Sequence, residues 1–133
     1  MVWKKHDYDG IPGTYVFDGK VAHDSYAINK MLYSFNDEKC RDEFEADPSA
    51  YCDKFGVTGE FKDCVMKKDF LRMLRLGCNI YFMAKMAIPR GTSVQDAGAQ
   101  FQGITTAEFQ EKLFRRADGM IEKMDKIGGY WNG

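Results

Sequence analysis

The sequence predicts an all-α protein, a small single helical domain with an extended N-terminal arm and a long loop near residues 90–103. Three observations predict this class. Apolar residues recur at helical spacing over most of the chain, capping residues precede the periodic segments, and 133 residues suffice for one domain. Hydrophobic residues make up 44% and charged residues 29%, which is typical of a soluble globular protein.

The first part of the chain is predicted to be an extended arm followed by short helices. Residues 1–23 contain several glycines and Pro12 among short apolar pieces, so no helix is expected there. Helices are expected over residues 24–88. Asp24 or Ser25 can cap the first, over residues 26–35, and Asn36 or Asp37 can cap the second.

Three more helices complete this part. Asp47 followed by Pro48 is an N-cap with proline at the first helical position, and this third helix is expected to end at Gly56. Thr58 is expected to open a longer helix that Gly77 closes. Residues 79–87 form a further helix that Pro89 stops.

A polar stretch then interrupts the helices. Residues 89–104, with the sequence RGTSVQDAGAQFQG from Arg90 to Gly103, are rich in Gly, Ser, Thr, Ala and amides and are predicted to be a loop. A structureless segment of this length in a compact domain is usually functional or disordered. Thr105 and Glu108 form a capping box for a last long helix over residues 105–126, and residues 127–133 form a glycine-rich tail.

Charge and composition narrow the classes of function that the chain could have. The net charge is −1 and the pI is near 6.1, so the chain has no basic field for a phosphate backbone and no nucleic-acid binding is expected. The longest apolar run, residues 80–88, contains Lys85 and is too short to cross a bilayer, so no membrane association is expected. The first residues show no secretory signal, and the predicted location is the cytoplasm.

The motifs of common active sites are missing from the sequence. It contains no phosphate-binding glycine loop, no nucleophile elbow and no HExxH zinc motif. The cysteines are too far apart for a zinc signature, and only two histidines are present. We therefore predict reduced thiols, no metal site and no catalytic residue in this chain.

The order of three motifs resembles the small α subunit of protocatechuate 4,5-dioxygenase, in the type II extradiol ring-cleavage family. They are I-P-G-T-x-V-F from Ile11 to Phe17, G-x-N-x-Y-F-x-x-K from Gly77 to Lys85, and G-G-Y ending at Tyr130. The resemblance covers nearly the whole chain. Val94 departs from it, since at least one family member carries an aromatic residue there.

The resemblance implies a division of labour between two chains. The larger β subunit holds Fe(II), and this chain caps its active site without iron ligands of its own. The implied assembly is a heteromer, α2β2, with a catechol-type aromatic carboxylate bound at the interface. The loop would be a lid over the substrate pocket. Its four lid residues are Val94, Gln95, Asp96 and Ala97.

The arm and the tail are the expected partner interface. The residues assigned to it are Ile11, Pro12, Gly13, Thr14, Val16, Phe17, Tyr130 and Trp131. An extended arm with little local packing is suited to wrapping a partner, and aromatic residues often anchor interfaces. The I-P-G-T segment is also a turn that would set the direction of the arm.

Other interpretations stay open beside the resemblance. Helical patterning predicts that Tyr81, Phe82, Met83 and Met86 lie in the core, and Asn79 is expected to be an N-cap rather than a substrate ligand. The substrate could be gallate or methylgallate instead of protocatechuate. A free-standing helical protein-binding module, or a small enzyme using Cys or Asp chemistry, would fit the composition as well.

Overall fold

The computed structural model describes residues 5–12, 14–126 and 128, and every regular element among them is helical. The all-α prediction is confirmed. Two short 3-10 turns, Asp7–Gly10 and Ile88–Arg90, accompany the α-helices. The helices are α1 (Gly19–Asp24), α2 (Tyr26–Ser34), α3 (Glu38–Ala46), α4 (Pro48–Lys54), α5 (Gly59–Lys67), α6 (Phe70–Arg75), α7 (Ile80–Ala87), α8 (Val94–Gln102), α9 (Thr106–Arg116) and α10 (Met120–Lys126).

Local capping explains where several helices begin. The Asp47 side chain accepts a hydrogen bond from the Ala50 amide at 3.0 Å, with Pro48 at the first position of α4. Thr105 and Glu108 form the expected reciprocal box at the start of α9. Asn79 caps α7. These helix starts are confirmed because each depends only on residues within one turn.

Three predicted boundaries are wrong. The arm is shorter than residues 1–23, because Asp18 caps α1 by accepting from the Val21 amide. The helix expected to run from Thr58 to Gly77 breaks at Lys68, whose φ of 54° is left-handed. The last helix is likewise divided between α9 and α10, where Gly119 adopts a φ of 77°.

The structure separates into two compact units, residues 1–94 and 95–133. The prediction of one domain over residues 1–133 stays a prediction. In the first unit, the rings of Phe35, Phe44 and Tyr51 form an aromatic cluster with centroids 4.9 to 5.8 Å apart. The core around it includes Ile28, Met31, Leu32, Val57, Val65, Met73, Met83 and Met86.

Helix α8 from Gln95 onward, together with α9 and α10, lies in the second unit. Ala99 is its one buried residue in the part of the unit that is described, whereas Phe114 and Ile121 are largely exposed. Most of the apolar surface on α9 and α10 is therefore not used in the packing of this unit. Across both units, none of the described helices has the length and apolar character needed to cross a membrane.

Candidate functional site

The segment predicted to be a long loop contains a helix, and this corrects the loop over residues 89–104. Its first residues are fixed to the first unit. Arg90 Nε lies 2.9 Å from a carboxylate oxygen of Glu45, and the guanidinium stacks 5.1 Å from the Phe44 ring centroid. The Thr92 amide donates to the Ala87 carbonyl at 3.1 Å. After this anchored turn the chain enters α8.

Gly98 explains why the glycine-rich composition of this segment wrongly predicted a loop. It lies inside α8 with no positive φ, and a Cβ added there would be 2.8 Å from the Phe109 ring. The glycine therefore permits close approach of α8 to α9 instead of marking a turn. Gly103, with a φ of 68°, follows the end of the helix, and the Ile104 amide donates to the Ala99 carbonyl. Tertiary packing against α9 decides the conformation of this segment.

The four predicted lid residues form the first turn of α8, and they differ in their surroundings. Val94 is 74% exposed. The Gln95 side-chain oxygen accepts from Gln110 Nε2 at 2.7 Å, and Asp96 accepts from the Thr106 hydroxyl at 2.7 Å. Ala97 is half-buried. Gln95 and Asp96 thus hold α8 to α9, which leaves Val94 as an apolar side chain directed to solvent.

The Tyr15 side chain links the arm to α6, and residues on either side of it expose apolar groups. The Tyr15 hydroxyl accepts from Arg75 Nε at 3.2 Å, and the Arg75 guanidinium lies 5.6 Å from the Tyr15 ring centroid. Ile11 and Phe17 are more than half exposed. Pro12 and Thr14 are exposed and Val16 is half-buried. The other predicted interface residues, Gly13, Tyr130 and Trp131, lie outside the described residues.

Side-chain hydrogen bonds on two sides define the turn that begins α7. Asn79 Oδ1 accepts from the amides of Tyr81 and Phe82 at 2.9 and 3.2 Å, which confirms that Asn79 is an N-cap. Asn29 on α2 joins the turn from the other side. Its side-chain nitrogen donates to the Gly77 carbonyl at 2.9 Å, and its oxygen accepts from the Asn79 amide at 2.8 Å. The position of α7 on α2 is therefore set by paired hydrogen bonds.

Tyr81 is not in the core, contrary to the prediction. Met83 and Met86 are buried as expected, but Tyr81 is 77% exposed. Phe82 is half-buried and makes a T-shaped contact with the Tyr33 ring, at a centroid distance of 5.3 Å. A signal for this was present in the sequence. Lys85 lies four residues after Tyr81, so both project from one face of the helix, and the lysine marks that face as solvated.

A cleft opens beside this exposed face of α7. The charged groups that line it are the cations of Arg41 and Lys85. Arg41 Nη1 is held by the carbonyl of Phe35 at 2.6 Å and that of Asn36 at 3.3 Å. The complete lining consists of Phe35, Asn36, Arg41, Ala84, Lys85, Ile88 and Pro89.

The described residues keep potential metal ligands apart and most of the thiols buried. Nowhere among them do three or more His, Cys, Asp or Glu side chains gather closely enough to hold a metal ion. The four cysteines are free thiols. Burial raises the pKa of the Cys78 thiol to about 12 and raises the pKa values of Cys52 and Cys64, so these sulfurs are protonated near neutral pH and poor nucleophiles. What the geometry provides is exposed apolar and cationic surface on a helical frame.

Comparison with known proteins specifies the class of this helical frame. Residues 28–114 match the family described as "Aromatic-ring-opening dioxygenase LigAB, LigA subunit". The matched region runs from α2 into α9 and includes α7 and α8. The chain belongs to this LigA subunit family.

One curated relative is a gallate dioxygenase from Pseudomonas putida. It is 23% identical over 101 residues, which cover 76% of this chain and 30% of the relative. The chain thus spans less than a third of the length of the relative that it matches.

Proposed function

We propose that this chain is the small non-catalytic subunit of an extradiol aromatic ring-opening dioxygenase of the protocatechuate 4,5-dioxygenase type. It caps the active site of a larger β subunit and shapes its substrate selection. The observation that carries the proposal is the family match over residues 28–114, which includes α8 with the candidate lid residue Val94.

A second polypeptide is needed in this proposal. The gallate dioxygenase relative contains a region similar to this chain within a protein more than three times as long as the matched part. We take the remaining length of such an enzyme to correspond to the β subunit, which for this chain is a separate partner. The assembly proposed is a heteromer of the α2β2 type, located in the cytoplasm.

The cofactor in this proposal is Fe(II), and it belongs to the β subunit. The described residues of this chain do not fit an iron site, because no cluster of three metal-ligating side chains occurs among them. We therefore assign no step of the reaction to a group on this chain. Its contribution is to cover the site and exclude water.

Two exposed apolar segments support a covering role. Val94 projects from the first turn of α8, on a segment anchored by Arg90 and Glu45. The arm presents Ile11 and Phe17. A catechol-type aromatic carboxylate bound at the subunit interface would meet the apolar wall at Val94, while Gln95 and Asp96 are engaged with α9. The anchored start of α8 would let this wall exclude water and select by size.

Gallate, with its methylated forms, is the second candidate substrate. The observation that favours it is the similarity to a gallate dioxygenase. Val94 is smaller than an aromatic side chain at the same place, which leaves room for an additional ring substituent.

Reconstitution tests the proposal. The chain is co-expressed with a candidate β subunit from the same organism, ferrous iron is added, and oxygen uptake is followed with protocatechuate, gallate and 3-O-methylgallate. We expect ring opening only when both chains are present, and the substrate with the highest kcat/KM identifies the enzyme type. Each chain alone serves as the control.

Two results would contradict the proposal. The first is stoichiometric ferrous binding by this chain alone that is lost when its own residues are mutated. The second is a stable monomer that neither binds the β subunit nor changes its turnover, which would indicate a free-standing helical module.

A further inference from the structure

The exposed face of α7 is not required by the packing of the first unit. Tyr81, Lys85 and Ile88 follow one another at helical spacing and are all exposed, at 77% for Tyr81 and 52% for Ile88. The opposite side of the helix supplies Met83 and Met86 to the core. A solvated helix face normally carries polar side chains, so an exposed tyrosine and isoleucine around one lysine are typical of a contact surface.

This face continues onto α2. Tyr33 is 59% exposed, and its ring makes a T-shaped contact with Phe82 at a centroid distance of 5.3 Å. The hydrogen bonds of Asn29 to both sides of the turn before α7 fix the two helices together. The surface formed by Tyr33, Tyr81, Lys85 and Ile88, called the α7 surface below, is therefore preorganised, which lowers the entropic cost of binding.

The charge beside this surface specifies the chemistry of an occupant. The adjoining cleft has Phe35, Ala84 and Pro89 as apolar walls, and its charged lining groups are Arg41 and Lys85. A neighbouring cleft shares Arg41 and Lys85 and is lined as well by Glu38, Asp42 and Glu45. Glu45 is paired with Arg90. A partner that covers the first cleft removes water from both of its cations, and a carboxylate brought there by the partner would offset the cost of desolvating them.

We infer that the α7 surface binds the β subunit, at a site where an acidic side chain of that subunit enters the cleft between Arg41 and Lys85 and apolar side chains pack on Tyr81 and Ile88. This inference rests on the proposed function. It adds a docking surface to the arm and to α8.

Binding measurements on the complex test the inference. The dissociation constant of the chain for the β subunit is measured for wild type and for Lys85→Glu, Lys85→Arg and Tyr81→Ala. We expect Lys85→Glu and Tyr81→Ala each to weaken binding at least tenfold, and Lys85→Arg to retain it. Lys39→Glu is the matched control, because Lys39 is exposed on α3, outside both clefts, and undergoes the same charge reversal. Thermal unfolding should be unchanged in all four variants, since the altered side chains are exposed.

The dependence of binding on salt concentration is a second test. Wild-type binding should weaken as ionic strength rises, and Lys85→Gln should show a smaller dependence. If wild type binds the β subunit but the Lys85 and Tyr81 variants bind equally well, the α7 surface is not a docking site. The inference is then overturned and the proposed function stands. If wild type does not bind the β subunit at all, the proposed function fails, and the inference fails with it.

Discussion

Replacing Gly77 with alanine should destabilise the protein through two separable effects. Gly77 has a φ of +97°, a conformation that L side chains rarely adopt. A Cβ at this position would also lie 2.3 Å from Val21 Cγ1 and 3.1 Å from the Ser25 hydroxyl oxygen. Ser25 is buried and donates to the Val21 carbonyl at 2.6 Å, so neither neighbour can move freely. The valine is itself restricted, because β-branched side chains have few accessible rotamers.

The magnitudes can be added in order. A left-handed conformation costs a non-glycine residue about 1–2 kcal/mol. Overpacking adds about 1–3 kcal/mol, whereas the reduced freedom of the unfolded chain returns about 0.4–1 kcal/mol. We therefore expect Gly77→Ala to lower the free energy of unfolding by about 3 kcal/mol. Gly56 is the matched control, since its φ is +71° with nothing within 4 Å of an added Cβ. Gly56→Ala should lose only about 1 kcal/mol.

Urea unfolding followed by circular dichroism measures both values. The double variant Val21→Ala/Gly77→Ala, compared with each single variant, isolates the steric part of the loss. The double variant should recover part of the stability lost in Gly77→Ala. Equal losses in Gly77→Ala and Gly56→Ala would refute the steric argument. The turn at Gly77 positions α7 through Asn29, so a confirmed steric loss should be accompanied by weaker binding to the β subunit.

Three further predictions concern the second unit, the lid and the arm. Gly98→Ala should lower the melting temperature, because the new Cβ lies 2.8 Å from the Phe109 ring. Phe109→Ala in the same chain should relieve that contact. An unchanged melting temperature in Gly98→Ala would contradict the close packing of α8 on α9. Val94→Phe should raise the ratio of kcat/KM for protocatechuate to that for a methoxylated analogue by about tenfold or more in the reconstituted complex, and an unchanged ratio would exclude Val94 from the pocket. Deleting residues 1–17 should leave helical circular dichroism intact but weaken co-purification with the β subunit; full retention would mean that the arm does not hold the pair.

Helix starts and the membership of the family were readable from sequence, since both rest on local residue order. Asp47 with Pro48, Asn79, and Thr105 with Glu108 each cap a helix through bonds to amides within one turn. Such contacts need no other part of the fold. The motif from Gly77 to Lys85 pointed to the family for the same reason, and it lies within the matched residues 28–114.

Helix interruptions and surface assignments were harder to predict. The break at Lys68 rests on bonds between neighbouring residues, since the Asp69 amide donates to the Cys64 carbonyl and the Asp69 side chain caps α6 by accepting from the Arg72 amide. The apolar periodicity continues across this cap and hides it. The polar segment before α9 becomes helical because Gly98 lets Phe109 approach. That outcome results from a contact between two helices, which the composition of the segment does not show.

The candidate site shows the same division. The sequence by itself determined that the chain is helical, capped at known residues and related to a dioxygenase subunit, because short-range hydrogen bonds and residue order carry that information. Only the tertiary structure decided that Tyr81 faces solvent and that Lys85 lines a cleft with Arg41, while Met83 and Met86 fill the core. An apolar run on a helix shows which residues can be buried, but the helices that pack against it determine which of them are.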